Sequence, residues 1–226
     1  SAFSWADYLN ATEDNSNGTV SVTTTGVEDG QTVTITLNGQ TYTNTTTDNA
    51  TTVTITAAGL QGLDEGSVTM TADVSDAAGN AASQVTSSAF TYDKTAPTVS
   101  SFTMSDTALK SGDTATVTLV FSEAVTAFAN ADITVVNGSL STMTTGDNIT
   151  WTGTYTPTAD VEDTTNVLTL GTSWTDTAGN AYGGATVDTA NFTIDTNSPS
   201  ISAIATTAFS WGAYLNATDD NSNGTV

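Results

Sequence analysis

"TVTITLNG", residues 32–39, sets Val33, Ile35 and Leu37 on alternate positions with threonine between them. A period of two sends successive side chains to opposite faces of an extended chain, so the stretch reads as a strand with one buried face. β-Branched residues pack well on a pleated surface and lose χ1 freedom in a helix, which favours the same reading. The style recurs outward from it: "TVSVTTT" (19–25), "TVTIT" (52–56) and "SVTMTADVS" (67–75), then "TATVTLVFS" (114–122), "DITVVNG" (132–138), "NITWTGTYT" (148–156), "NVLTLGTSWT" (166–175) and "ATVDTANFTI" (185–194). Gly, Asn and Asp punctuate these runs, and nothing with helical period reaches ten residues. About seven short strands per hundred residues predict an all-β chain of immunoglobulin-type β-sandwiches, with a barrel left open by pattern alone.

Composition narrows the function classes. The 226 residues are 37% hydrophobic, enough for one large core or two ordinary ones, and the repeated punctuation favours two. Twenty-four Asp and Glu stand against Lys94 and Lys110, with no Arg or His, for a net charge of −22. Such a surface repels phosphate backbones and anionic headgroups, which argues against nucleic-acid and membrane-surface partners and points to divalent cations. Without cysteine there are no disulfides, zinc–thiolate sites or thiol nucleophiles. No apolar run approaches a membrane span, and "SAFSWADYLN" does not read as a signal peptide. "AFSWADYLNATEDNSNGTV" (2–20) returns as "AFSWGAYLNATDDNSNGTV" (208–226) with three of nineteen positions changed, an offset of 206. The expectation is an excerpt of a longer repeating chain.

Shorter words mark the modules. "DKTAP" (93–97) and "DTNSP" (195–199) each follow a related phrase, "SDAAGN" (75–80) and "TDTAGN" (175–180). The predicted division is 1–97 and 98–199 as two sandwiches of different repeat type, with 200–226 as a linker and the first strand of a third. Loops of a sandwich alternate between its two ends, so the acids sort by pole. The downstream pole of the first module takes "TEDNSNG" (12–18), "LDEG" (63–66) and Asp93, which supplies Glu13 and Asp64. The upstream pole of the second takes Glu123, Asp147, Asp176 and Asn180, and its downstream pole takes "ADVEDTT" (159–165), with Asp163, and Asp195. The upstream pole of the first holds Asp76 and Asn80, with "GVEDG" (26–30) and "TDN" (47–49). Stacked carboxylates at a proline-stiffened crossing repel one another unless a cation bridges them, and calcium accepts six to eight oxygens. A calcium clamp at each junction is the sharp reading, and solvated acidic turns are the plain one.

A second calcium signal is "DDNSNG" (219–224), with "EDNSNG" (13–18) as its first copy, which opens like an EF-hand loop. The motif then fails, because position twelve from Glu13 is Thr24 rather than a bidentate glutamate. A plain turn fits equally well.

The ordered phrases "DGQTVTITLNGQTYT", "VSDAAGNAA" and "YDKTAPTV", followed by "LKSGDTATVTLVFSEAVTAF", "NGSLSTM", "YTPTADVEDTTNVLTL" and "DTAGN", resemble the bacterial immunoglobulin-like extender repeats of giant RTX-type adhesins. The resemblance runs over essentially the whole chain. It implies extracellular spacer domains, exported by a type I system in Gram-negative bacteria, that hold a binding tip away from the cell and are rigidified by calcium at their junctions. Neighbouring repeats would be the partners. Asp93, Asp195, Asp76, Asn80, Asp176 and Asn180 fall on the family's phrases. Lys94 departs from them by setting a positive charge beside Asp93, and glycine-rich RTX nonapeptides are absent from this stretch.

Two other classes compete. Catalysis would have to run on a carboxylate pair, as in glycosidases, yet the acids sit on polar loops with no aromatic-lined cleft in view. A direct glycan or ice platform would use Trp5, Trp151, Trp174 and Trp211 or outward threonines, but tryptophan within alternating strands more often packs a core. Residues 208–226 are expected to lie against a neighbouring molecule, as an added strand or an exchanged first strand.

Overall fold

Residues 32–37 form the strand that their alternation predicts, and a computed structural model describing residues 3–203 and Thr218 shows what assembles around it. The first half holds β1 (Tyr8–Leu9), β2 (Gly18–Thr23), β3 (Thr32–Leu37), β4 (Gln40–Thr45), β5 (Ala50–Ile55), β6 (Gly66–Val68), β7 (Thr71–Asp73), β8 (Val85–Thr86) and β9 (Phe90–Tyr92). A five-residue helix, α1 (Ala57–Gln61), follows β5 and is capped by the Thr56 hydroxyl. The second half holds β10 (Val99–Met104), β11 (Ala108–Lys110), β12 (Ala115–Phe121), β13 (Val125–Thr126), β14 (Ile133–Thr134), β15 (Gly138–Leu140), β16 (Thr144–Thr145) and β17 (Thr150–Pro157). It continues with β18 (Glu162–Asn166), β19 (Thr169–Leu170), β20 (Thr175–Asp176), β21 (Val187–Asp188) and β22 (Phe192–Asp195).

The two halves share a plan. β2 pairs antiparallel with β5 as β12 does with β17, and β1 runs parallel to β9 as β11 does to β22. In the first half the facing sheet has the order β4-β3-β7-β8. Val33, Ile35 and Leu37 on the inner face of β3 share one core with Val20 of β2 and with Val53 and Ile55 of β5. Two sheets closed over one core make a β-sandwich, and each such side chain taken out of water contributes about 1.5–3 kcal/mol. A separate core in the second half gathers Val117, Leu119 and Phe121 of β12 with Trp174, Phe192 and Ile194. Among the described residues no strand pairing crosses between the halves.

The structure differs from the pattern reading in places with identifiable causes. β10 escapes it because the register shifts between Val99 and Ser101, so the core-facing residues fall at 99, 102 and 104 rather than on alternate positions. β4 escapes because it is an exposed outer strand with no apolar face. Its signal is the Asn38-Gly39 turn, where φ is 48° and 75°. The single strand read over 67–75 is two, β6 against β9 and β7 against β3 and β8. No helix among the described residues is long and apolar enough to cross a membrane. The expectation for 208–226 lies outside the described residues, apart from Thr218.

Candidate metal centre

β9 delivers Asp93 to the end of the first sandwich, where the Asp93 N–H donates to the Leu9 carbonyl and its own Oδ1 accepts the Thr95 N–H at 3.1 Å. The chain then crosses, and Thr98 and Ser122 exchange two hydrogen bonds that pin the crossing against the end of β12. Glu123 follows directly. β13 lies against β20 with Val125 opposite Asp176, and the Thr126 hydroxyl donates to the Asp176 carbonyl at 2.8 Å. These ties bring one oxygen each of Asp93, Glu123 and Asp176 within 4.8 Å of one another.

Asn180 fastens the two sandwiches around this group. Its backbone N–H and side-chain amide both donate to the Asp176 carboxylate at 2.8 Å, and the amide also donates to the Asp93 carbonyl at 2.9 Å. Its Oδ1 accepts the Ala11 N–H at 3.0 Å, while the Asn10 amide donates to the Ala178 carbonyl at 2.9 Å. Asp176 is 1% exposed and Asn180 5%. Burial pushes the Asp93 carboxyl above its ordinary range, with Asp176 and Glu65 adding repulsion against the Thr95 hydrogen bond. Burial likewise raises Glu123, reinforced by Asp93, Asp176 and Glu65. Lys94 does not neutralise the group through an ion pair. Its ammonium sits over the Tyr92 ring, 5.6 Å from the centroid, and the ion pair among the described residues is Lys110 with Asp113.

The other residues singled out from the sequence lie elsewhere. Asp76 and Asn80 repeat the Asp176–Asn180 loop bond for bond at the opposite pole of the first sandwich, with Asn80 donating to Asp76 at 2.7 and 2.8 Å, but both stay more open to solvent. Glu28 of "GVEDG" reaches that loop, accepting the Ala77 N–H at 2.9 Å. Asp195 ends β22 and accepts the Asn197 N–H as Asp93 does that of Thr95; Glu162 of β18 stands opposite it, but among the described residues Asp195 joins no group of three acids. Asp163 caps Thr165 and accepts from the Asn137 amide. Asp147 caps its own turn through Ile149 and Thr150. Asp64 is exposed, and its neighbour Glu65 is the one that meets the linker, accepting the Lys94 N–H and the Thr95 hydroxyl. In the 13–18 loop Glu13 accepts the Asn10 N–H and Asp14 accepts the Tyr92 hydroxyl at 2.7 Å, so the side chains diverge to separate partners.

Gly79 and Gly179 separate backbone strain from the junction itself. Both have left-handed φ, 88° and 93°, yet an added Cβ meets nothing at Gly79 and lies 3.3 Å from Asn10 Nδ2 at Gly179. Each alanine is expected to cost about 1–3 kcal/mol through strain. Gly179→Ala is also expected to weaken the response to calcium, and Gly79→Ala is not. Paired thermal melts with and without calcium make the comparison.

Residues 93–194 match the family described as bacterial Ig-like domain. A bacterial immunoglobulin-like domain from the M. primoryensis ice-binding adhesin is 32% identical, over 41% of this chain and 92% of its own, with a TM-score of 0.32. The solved structure reporting host cell surface retention of a 1.5-MDa bacterial ice-binding adhesin is 26% identical over 87% of this chain, with a TM-score of 0.44. A Ca2+-stabilized adhesin that helps an Antarctic bacterium reach out and bind ice is 26% identical over 88%, with a TM-score of 0.41. This chain spans 63% and 49% of the length of those two. None of the curated proteins matches it. Through residues 93–194 the chain belongs to the bacterial Ig-like domain family.

Proposed function

We propose that this chain is a structural extender segment of a bacterial surface adhesin. Two Ig-like domains, 1–97 and 98–199, are clamped end to end by calcium held between Asp93, Glu123 and Asp176, and 200–226 opens a third. The observation that carries the reading is the meeting of three carboxylates from both sides of the crossing within 4.8 Å. Two oxygens bound about 2.4 Å from one ion lie no more than about 4.8 Å apart, so the spacing suits a common calcium. The donor set is hard oxygen throughout, and among the described residues no ion pair offsets its charge. Asn180 sets the loop that presents Asp176 and holds the Asp93 carbonyl in place. That a solved adhesin similar to this chain is itself described as Ca2+-stabilized agrees with the reading.

Bound calcium would convert mutual repulsion into a tie, so the two sandwiches would move as one body and carry tension along the chain. Joined end to end in this way, two domains would make a rod about twice the length of one. Such a spacer belongs outside the cell, and type I export fits it. Its family is one of adhesin domains rather than of enzymes. A glycan platform is less favoured, because Trp5 and Trp174 are 4% and 0% exposed and Trp151 packs on Phe128 at 4.9 Å. Millimolar calcium is expected to raise the melting temperature over chelator, with magnesium doing so weakly, and to narrow the distribution of shapes in small-angle scattering. Unchanged melting and scattering would count against the clamp.

A further inference from the structure

Asp14 is a buried carboxylate, 5% exposed, that stands outside the group formed by Asp93, Glu123 and Asp176. A buried charge is costly unless hydrogen bonds compensate it. Asp14 Oδ2 accepts the hydroxyl of Tyr92 at 2.7 Å, a residue 78 positions along the chain and fully buried on β9. The Asp14 N–H donates to the Asn10 carbonyl at 3.1 Å, and Asn10 Oδ1 accepts the N–H groups of Thr12 and Glu13 at 2.9 and 3.0 Å. Further along the same turn, Asn15 Oδ1 accepts from the Gln61 amide of α1 at 3.1 Å. The turn 10–15 is thus closed on itself and anchored at one point to β9 and at another to α1.

A turn closed in this way turns two donors outward. The Asn10 amide meets the Ala178 carbonyl and the Ala11 N–H meets Asn180 Oδ1, while the Asn180 amide returns a bond to the Asp93 carbonyl. Ala178 and Asn180 are 7% and 5% exposed, whereas Ala78 and Asn80, in a loop with the same internal bonds, are open to solvent. The first sandwich therefore supplies the cover over 178–180. None of the groups that meet there carries a charge, so their bonds need no cation. We propose that the turn 10–15 is a docking surface of the first sandwich for the 178–180 loop of the second, and that Asp14 and Tyr92 are its positioning residues. The surface presents two N–H donors, and it fits a loop that offers a carbonyl and, two residues on, an asparagine side-chain oxygen. This latch rests on the end-to-end junction proposed above but not on its calcium. A hydroxyl bonded to a carboxylate is stronger than a bond between neutral groups, and here it fixes where the turn stands against β9. Without that bond the turn shifts while each sandwich keeps its own core.

Amide hydrogen exchange at Ala11, followed by NMR in chelator and in calcium, tests this. In the parent chain the Ala11 N–H is expected to be protected under both conditions. Asp14→Ala and Tyr92→Phe are each expected to speed its exchange about tenfold or more, the scale of losing one hydrogen bond to a charged acceptor, while the amides of β3 keep their parent rates. Asp14→Asn retains an acceptor for the Tyr92 hydroxyl and should exchange as the parent does. If Asp14→Ala fails to fold, Tyr92→Phe decides alone. An Ala11 amide that exchanges freely in the parent chain in chelator overturns the latch. Failure of the calcium clamp reads separately, as a melting temperature that calcium does not move. Ala11 protection that survives Tyr92→Phe overturns the positioning role, as does equal acceleration at Ala11 and throughout β3, since the pair then serves the first sandwich as a whole.

Discussion

Asp93→Asn and Glu123→Gln are expected to raise the melting temperature in chelator and to lower it in calcium, each relative to the parent chain. The two signs have one cause. Burial and the neighbouring carboxylates push both groups above their ordinary range, so their charged forms are disfavoured in the folded chain, and a neutral isostere removes that cost. With calcium present the same charges are the proposed ligands. At an affinity of about 10⁻⁴ to 10⁻³ M, roughly 10 mM calcium stabilises the fold by about 1.4–2.7 kcal/mol, and each variant forfeits most of it. At about 2–4 °C per kcal/mol for a chain of this size, that corresponds to a shift of about 3–11 °C.

The pH dependence follows from the direction of the shifts. A carboxyl whose folded pKa is raised binds more protons in the folded state between its unfolded and folded values, so stability falls as pH rises through that window. Acidification from neutral therefore relieves the calcium-free junction. The advantage of the Asn and Gln variants in chelator should narrow toward pH 5, and the stabilisation by calcium should shrink there as protons compete with the ion. Carboxylates lowered by hydrogen bonds, such as Asp76 and Asp163, move the opposite way, but they are common to parent and variant and cancel in the difference. Equal signs in chelator and calcium would mean that the three carboxylates do not share a cation.

Trp174→Ala is expected to remove about 3–5 kcal/mol from the second sandwich and leave the first standing. Trp174 is fully buried, packs on Phe121 and stacks on Tyr182, both at 4.5 Å, and donates its indole N–H to the Gly171 carbonyl at 3.0 Å. Truncation leaves a large cavity beside β20, which carries Asp176, so the calcium response should fall with it. The first core, built on Phe3, Trp5 and Phe90, shares no residue with the second. Calorimetry should show one transition moved down and the other near its parent position. A single transition moving as a whole would show that the halves unfold together.

Much of this was legible in the residues. Threonine alternating with valine and isoleucine dictated strands at 32–37 and 115–121, because period two puts every apolar side chain of such a run on one face whatever lies around it. The matched words at 75–80 and 175–180 fold as matched loops, since an aspartate accepting from the asparagine four residues on is a local arrangement completed by a glycine with positive φ. The −22 charge with two lysines pointed to a cation before any geometry was known. Other features depend on how strands from distant stretches meet. Whether Asp64 or Glu65 turns to the linker is set by where β6 begins, and the pairing of β13 with β20 decides that Glu123 rather than Asp147 stands beside Asp176. Asn10 and Ala11 carry no charge to mark them, and they reach Asn180 only because β1 runs beside β9 to the same pole. Local periodicity and charge are properties of neighbours in sequence and can be read along the chain. The convergence of three carboxylates from residues 93, 123 and 176 belongs to the packing of two sandwiches, which no single stretch contains.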